Sequence, residues 1–182
     1  METIFITGAS GAIGPQLLAA LARELPAARF AVLLRPQTEG GERISRLRRR
    51  VAELCQLDGA AACDLHERLV PVAGDIRQPA GGMTRALAAR LAAETTAIVH
   101  AAADTRFRAD EAKQWVTNVE GTRNVLNWGR NCNSLRRFVL VSTTCVAGIR
   151  TGEIPEEPID TRPAFVNHYE HTKWEKIGRA HV

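Results

Sequence analysis

Thr7-Gly8-Ala9-Ser10-Gly11-Ala12-Ile13-Gly14 stands between an apolar run, Thr3 to Thr7, and a stretch carrying Ile13, Leu17, Leu18, Leu21 and Leu25 at helical spacing. Three glycines at a strand-to-helix junction let backbone amides and a helix N-terminus face a pyrophosphate. Gly8 is expected to make the tight turn, Gly11 to admit the anion to the backbone, and Gly14 to let the helix pack closely on the strand. Ser10, Ala12 and Ile13 complete the candidate phosphate loop. Pro15 falls in the first helical turn, where a missing N–H does no harm.

Outward from this loop, apolar runs and helical patterns alternate. Strands are expected at Phe30 to Leu34, Arg68 to Ala73, Thr96 to His100 and Arg137 to Ser142. Helices are expected near Glu42 to Leu57, over Met83 to Glu94, and as one long element from Glu111 to Asn131. Continuous apolar strands separated by helices imply a parallel sheet covered on both faces. The expected fold is therefore α/β, a doubly wound Rossmann sheet of order 3-2-1-4-5, cut before its last strands. Gly148 to Pro163, rich in Pro, Gly and acid, reads as a long functional loop.

The chain has 182 residues, 45% hydrophobic and 24% charged, enough for one domain with a substantial core. No stretch has the length and apolarity of a membrane span, and no basic region precedes the first apolar run. Four cysteines, Cys55, Cys63, Cys132 and Cys145, show no metal spacing, so no metal is expected; they read as reduced, mostly buried thiols of a cytoplasmic protein. The net charge of +4 owes much to Arg43, Arg46, Arg48, Arg49 and Arg50. Ile44, Leu47, Val51 and Leu54 recur through the same segment, which puts the arginines on the outer face of an amphipathic helix rather than in a nucleic-acid patch.

The last seven residues, Lys176 to Val182, back-translate as AAG ATC GGA AGA GCA CAC GTC, which resembles sequencing-adapter read-through. They are expected to be foreign, with residues 1–175 forming an incomplete cofactor-binding domain that is inactive by itself.

The GxxGxxG spacing of Gly8, Gly11 and Gly14 resembles the extended short-chain dehydrogenase/reductases. Gly74-Asp75, His100-Ala101-Ala102-Ala103, Asn118-Val119-Glu120-Gly121-Thr122 and Tyr169-Glu170-His171-Thr172-Lys173 agree with that family in order and placement. Val32-Leu33-Leu34-Arg35, Ala102-Ala103-Asp104-Thr105-Arg106-Phe107 and Val141-Ser142-Thr143 look closest to its thioester-reductase and fatty-acyl-CoA-reductase branch, the male-sterility type. The resemblance implies that Asp75 and Ile76 lie near the adenine and that Ala101, Ala102 and Ala103 line the nicotinamide ribose. It further implies that Asn118 positions water and backbone near the lysine, and that Lys173 also holds the ribose hydroxyls.

Arg35 stands at the end of the second strand, about twenty residues past Gly14, where an acid would select NAD. A guanidinium suits a 2′-phosphate, and Arg43 offers a second contact, so the expected cofactor is NADP(H). Tyr169 and Lys173 are four residues apart, one helical turn, and a neighbouring ammonium is expected to favour the tyrosinate. Tyr169 is the expected general acid. The family's catalytic hydroxyl aligns with Thr143, with Ser142 and Thr144 as fallbacks. His100 reads as a satisfied core histidine; His171 is a weaker candidate to face substrate, and Trp115 and Trp128 read as packing residues. The first expectation is an NADPH-dependent reductase of an acyl thioester, on coenzyme A or a carrier protein, or of an aldehyde. An NAD-dependent nucleotide-sugar epimerase or dehydratase is a second, disfavoured by Arg35. A non-catalytic NADP-sensing regulator is a third, disfavoured by the presence of Thr143, Tyr169 and Lys173 together.

Overall fold

Every residue of the first strand, β1 (Thr3–Thr7), is buried. Its alternation decides the layers: Ile4 and Ile6 join one core and Phe5 the opposite one. A computed structural model describes residues 2–36, 42–157 and 162–180. It contains β2 (Arg29–Leu34), β3 (Leu69–Ala73), β4 (Thr95–His100) and β5 (Arg137–Leu140), all parallel, in the order β3-β2-β1-β4-β5. This is the order expected from the sequence.

One face is covered by α1 (Gly14–Glu24), α2 (Glu42–Cys55) and α3 (Gly59–Arg68), whose Leu18, Leu47, Val51 and Leu65 meet Ile4, Ile6, Phe30 and Val32. The other is covered by α4 (Arg85–Glu94) and α6 (Gly121–Gly129), where Leu91, Val125 and Trp128 meet Phe5, Leu33 and Ile98. The Trp128 ring lies 4.5 Å from that of Phe5, and its indole N–H donates to the Ala88 carbonyl. In α2, Arg46 and Arg50 pair with Glu42 and Glu53, and Arg48 donates to the Leu69 carbonyl. The arginines thus occupy the outer face and margin of an amphipathic helix.

Three expectations need correction. The segment between α2 and β3 holds a further helix, α3. Its periodicity is weak, and Leu65 is its only buried residue, so no clear apolar stripe announces it. The expected long helix is three pieces: α5 (Glu111–Trp115), a π-helical turn (Val116–Glu120) and α6. The wide turn coincides with buried Asn118, whose amide bonds outside the helix. Cys63 and Cys145 are exposed, so only Cys132 of the four thiols is fully buried. The loop expected over Gly148 to Pro163 lies partly outside the described residues, as do the last two of the tail. The final helix, α7 (His168–Ala180), packs on the π turn, α5 and the 3₁₀ turn Thr144–Ala147.

Candidate active site

The carboxyl ends of β1, β2, β3 and β4 open onto a cleft of about 910 Å3. A doubly wound sheet binds its ligand outside the strand ends, where strand order reverses between β1 and β4. Gly8, Ser10 and Gly11 form one wall, Arg35, Arg43 and Asp75 to Arg77 another, and Ala101 to Arg106 a third.

Gly8 takes φ +79, and a Cβ there would lie 2.5 Å from the Ala101 carbonyl carbon. Only glycine supplies both the turn and the close approach to the end of β4. Gly11 donates its N–H to the Gly8 carbonyl at 2.9 Å, closing the loop. Gly14 acts differently from the expectation: a Cβ there would strike Ala9 at 2.1 Å. It lets the loop fold onto the helix start rather than the helix onto the strand. Ala12 and Ile13 are exposed at the loop's outer edge, outside the cleft lining.

Arg43 Nη1 donates to the Arg35 carbonyl at 3.4 Å, and both line the cleft. Asp75 receives the Arg77 guanidinium at 2.6 Å, a hydrogen bond that holds its carboxyl below the usual range. Ile76 is buried against α6; a Cβ on Gly121 would reach its side chain at 2.9 Å. The glycine-rich cradle and the small residues Ala101 to Ala103 together fit a nicotinamide dinucleotide.

α7 places Tyr169 and Lys173 one turn apart, both buried. Burial raises the pKa of Tyr169 more than the neighbouring Thr143 hydroxyl lowers it. The expected ammonium effect on tyrosine is absent here. Lys173 Nζ lies 5.9 Å from the Tyr169 ring centroid and donates instead to the Val141 carbonyl at 2.8 Å. Burial also lowers the pKa of Lys173. Thr143 is the hydroxyl that reaches Tyr169. Ser142 Oγ is buried without a protein partner, and Thr144 is exposed in the following turn.

Lys176, fully buried, donates to the same Val141 carbonyl at 3.0 Å. Burial and the Lys173 charge push its pKa down to about 6.

Asn118 is fully satisfied. Its Oδ1 accepts from Asp104 N at 2.7 Å, and its Nδ2 donates to the Asp104 carbonyl at 3.0 Å and to Thr172 Oγ1 at 2.9 Å. It therefore clamps the loop after β4 to α7. His100 is buried between Thr7 and Thr122, which sequence reading did not single out, although Thr7 precedes the first glycine and Thr122 closes the Asn118 motif. His171 does not face the cleft. It stacks on Phe165 at 5.5 Å and bonds Arg162 at 2.8 Å. Trp115 packs against its ring at 5.8 Å. Sequence reading also missed Phe107, 63% exposed, whose ring meets Tyr169 edge-on at 5.8 Å.

The male sterility protein family profile matches residues 6–177. Fatty acyl-CoA reductase 2, chloroplastic, of Arabidopsis thaliana is 29% identical over 164 residues, covering 86% of this chain and 27% of that protein. The terminal R domain from the myxalamid PKS-NRPS biosynthetic pathway superposes with TM-score 0.80 at 33% identity, covering 99% of this chain and 45% of that one. The reductase (R) domain of a non-ribosomal peptide synthetase from Mycobacterium tuberculosis superposes with TM-score 0.70 at 28% identity, covering 97% of this chain and 43% of that one. The chain thus spans about a quarter of the plant reductase and less than half of either R domain. Among the described residues no helix is long and apolar enough to cross a membrane. The chain belongs to the male sterility protein family, whose matching model is an NAD-binding domain.

Proposed function

We propose that the protein carrying this chain is an NADPH-dependent reductase of acyl thioesters, presented on coenzyme A or a carrier protein, yielding an aldehyde or alcohol. The carrying observation is that Tyr169 and Lys173 stand one turn apart on α7, with Lys173 Nζ 5.9 Å from the Tyr169 ring and Thr143 near the tyrosine, in a fold whose strand ends open onto a cleft lined by Gly8, Gly11, Arg35 and Arg43; none of the three lines that cleft. The relatives' reductase names support it.

Gly8, Ser10, Gly11 and the start of α1 would hold the pyrophosphate, Asp75 and Ile76 would flank the adenine, and Arg35 with Arg43 would take the 2′-phosphate. Ala101 to Ala103 leave room for the ribose beside the end of β4. When bound, the nicotinamide supplies the hydride. Thr143 Oγ1 accepts from Cys145 N at 3.3 Å, which leaves its own proton available to a substrate oxygen. Tyr169, kept protonated by burial, donates its Oη proton to the oxygen as charge develops there. Lys173 is free to exchange the Val141 carbonyl for ribose hydroxyls, since a lysine carries three donors. Asn118 holds the loop and helix that frame these groups.

The test is reduced-nicotinamide consumption by the full-length protein carrying this chain, with an acyl-coenzyme A and an acyl-carrier thioester, using NADPH and NADH in parallel. Turnover with a thioester and preference for NADPH are expected. Turnover of a sugar nucleotide with tightly held NAD would replace this reading by the epimerase. Cofactor binding without turnover of any carbonyl would favour the regulator.

A further inference from the structure

His100 does not line the cleft, yet its side chain and backbone join the end of β1, the Asn118 motif and Val141, whose carbonyl holds Lys173. Its Nδ1 lies 2.6 Å from Thr7 Oγ1, and its Nε2 lies 3.0 Å from Thr122 Oγ1. Thr7 is the residue before Gly8, and its hydroxyl also accepts from Ala102 N at 3.3 Å. Thr122 donates its one proton to the Asn118 carbonyl at 2.6 Å. That leaves Thr122 Oγ1 only as an acceptor toward the ring, so Nε2 must carry the proton. Nδ1 is then bare and accepts from Thr7 Oγ1. Hydrogen bonds run in one direction, from Ala102 N–H through Thr7, His100 and Thr122 to the Asn118 carbonyl. The Asn118 amide continues to Thr172, whose hydroxyl donates to the Tyr169 carbonyl at 2.8 Å. The His100 backbone reaches the same helix by another route: its carbonyl accepts from Val141 N at 3.0 Å, and the Val141 carbonyl holds Lys173. All the hydroxyls along the ring's path are fully buried. Burial and the two nearby lysines hold the imidazole uncharged, with its pKa pushed down to about 3.

We propose that His100 is a positioning residue: its imidazole, wired as the Nε2–H tautomer between Thr7 and Thr122, ties the strand end that carries the phosphate loop to the helix that carries Tyr169 and Lys173. The inference rests on the reductase reading for its catalytic consequence. A hydroxyl lost at either end, the donor at Thr7 or the acceptor at Thr122, leaves a buried polar group unpaired and frees the two halves to shift against each other. Small displacements of reacting groups lower turnover more than they lower binding.

The experiment uses the full-length protein with Thr7→Val, Thr122→Val, the double variant, and the Thr7→Ser and Thr122→Ser controls. Each valine variant should lower kcat by about tenfold to a hundredfold, with thioester KM changed far less. The double variant should be no slower than the slower single one, because one break already opens the tie. Each serine should restore most of the rate, since it keeps the hydroxyl. Losses that multiply in the double variant, or that serine does not restore, would overturn the tie and leave two separate packing defects. Nitrogen NMR of the unaltered chain gives a second reading that needs no substrate and no variant. An Nε2–H imidazole is expected, and an Nδ1–H imidazole would overturn the wiring. If the unaltered protein reduces no thioester, the reductase reading fails while the tautomer measurement still decides the wiring.

Discussion

In the proposed mechanism Tyr169 and Thr143 each act through one hydroxyl. Tyr169→Phe should leave NADPH binding and the melting temperature near the parental values, because the ring still packs against Phe107. Turnover should fall by about a hundredfold to ten-thousandfold, the usual worth of general acid–base catalysis. Steady-state rates with saturating cofactor measure this, and a phenylalanine variant at the parental rate would remove Tyr169 from the chemistry. Arg35 is the proposed partner of the 2′-phosphate. Arg35→Ala should weaken NADPH binding by about tenfold to a hundredfold, the worth of one charged hydrogen bond. NADH binding should hardly change; equal losses for both cofactors in a fluorescence titration would mark Arg35 as structural.

The π turn from Val116 to Glu120 is the element that converts a helix into a clamp. An uninterrupted α-helix would spend its bonds internally, whereas this one turns the Asn118 amide toward Asp104 and Thr172. Asn118→Ala would leave the Asp104 peptide and Thr172 without those partners. Each orphaned buried group costs about 1–3 kcal/mol, so a clear drop in the denaturant midpoint is expected together with lower turnover. Unchanged stability would show that water replaces the amide and that the clamp carries no weight. β5 is a second element with a testable property. It pairs with β4 alone, and Val139 on it is 40% exposed. An unpaired, partly apolar strand edge invites another chain. The 182-residue chain produced by itself should self-associate with concentration in light scattering, and a monomer throughout would contradict this.

Across the molecule, three buried basic groups, His100, Lys173 and Lys176, all have lowered pKa values, with burial the first cause in each. The unfolded chain binds their protons at higher pH than the folded chain does. Stability should therefore rise with pH wherever the unfolded state is the more protonated. For Lys176 that window runs from about 6 up to 10.5, and for His100 from about 3 up to 6.5. Each group contributes at most about 1.4 kcal/mol per pH unit within its window. The denaturant midpoint should climb from pH 5 through pH 9, and Lys176→Met should flatten the upper part of the climb. A midpoint that peaks near neutrality and falls by pH 9 would show that these groups ionise inside the fold.

The sequence by itself determined the layers, the strand order and the phosphate loop. Those features follow from local periodicity, from apolar strands flanked by helices, and from glycines whose Cβ atoms would collide with backbone. It also brought out Tyr169, Lys173 and Asn118, because they are carried by compact motifs. Tertiary structure alone decided what surrounds them. Thr143 rather than Ser142 meets Tyr169, Lys173 turns to the Val141 carbonyl, and burial rather than an ammonium governs the tyrosine's acidity. The same holds for Phe107 against the Tyr169 ring and for His100 between two threonines 93 and 22 residues away in the chain. Such contacts join residues far apart along the chain, so no local pattern encodes them. They exist only once parallel strands set Thr7 beside His100 and packing brings the Asn118 turn against α7.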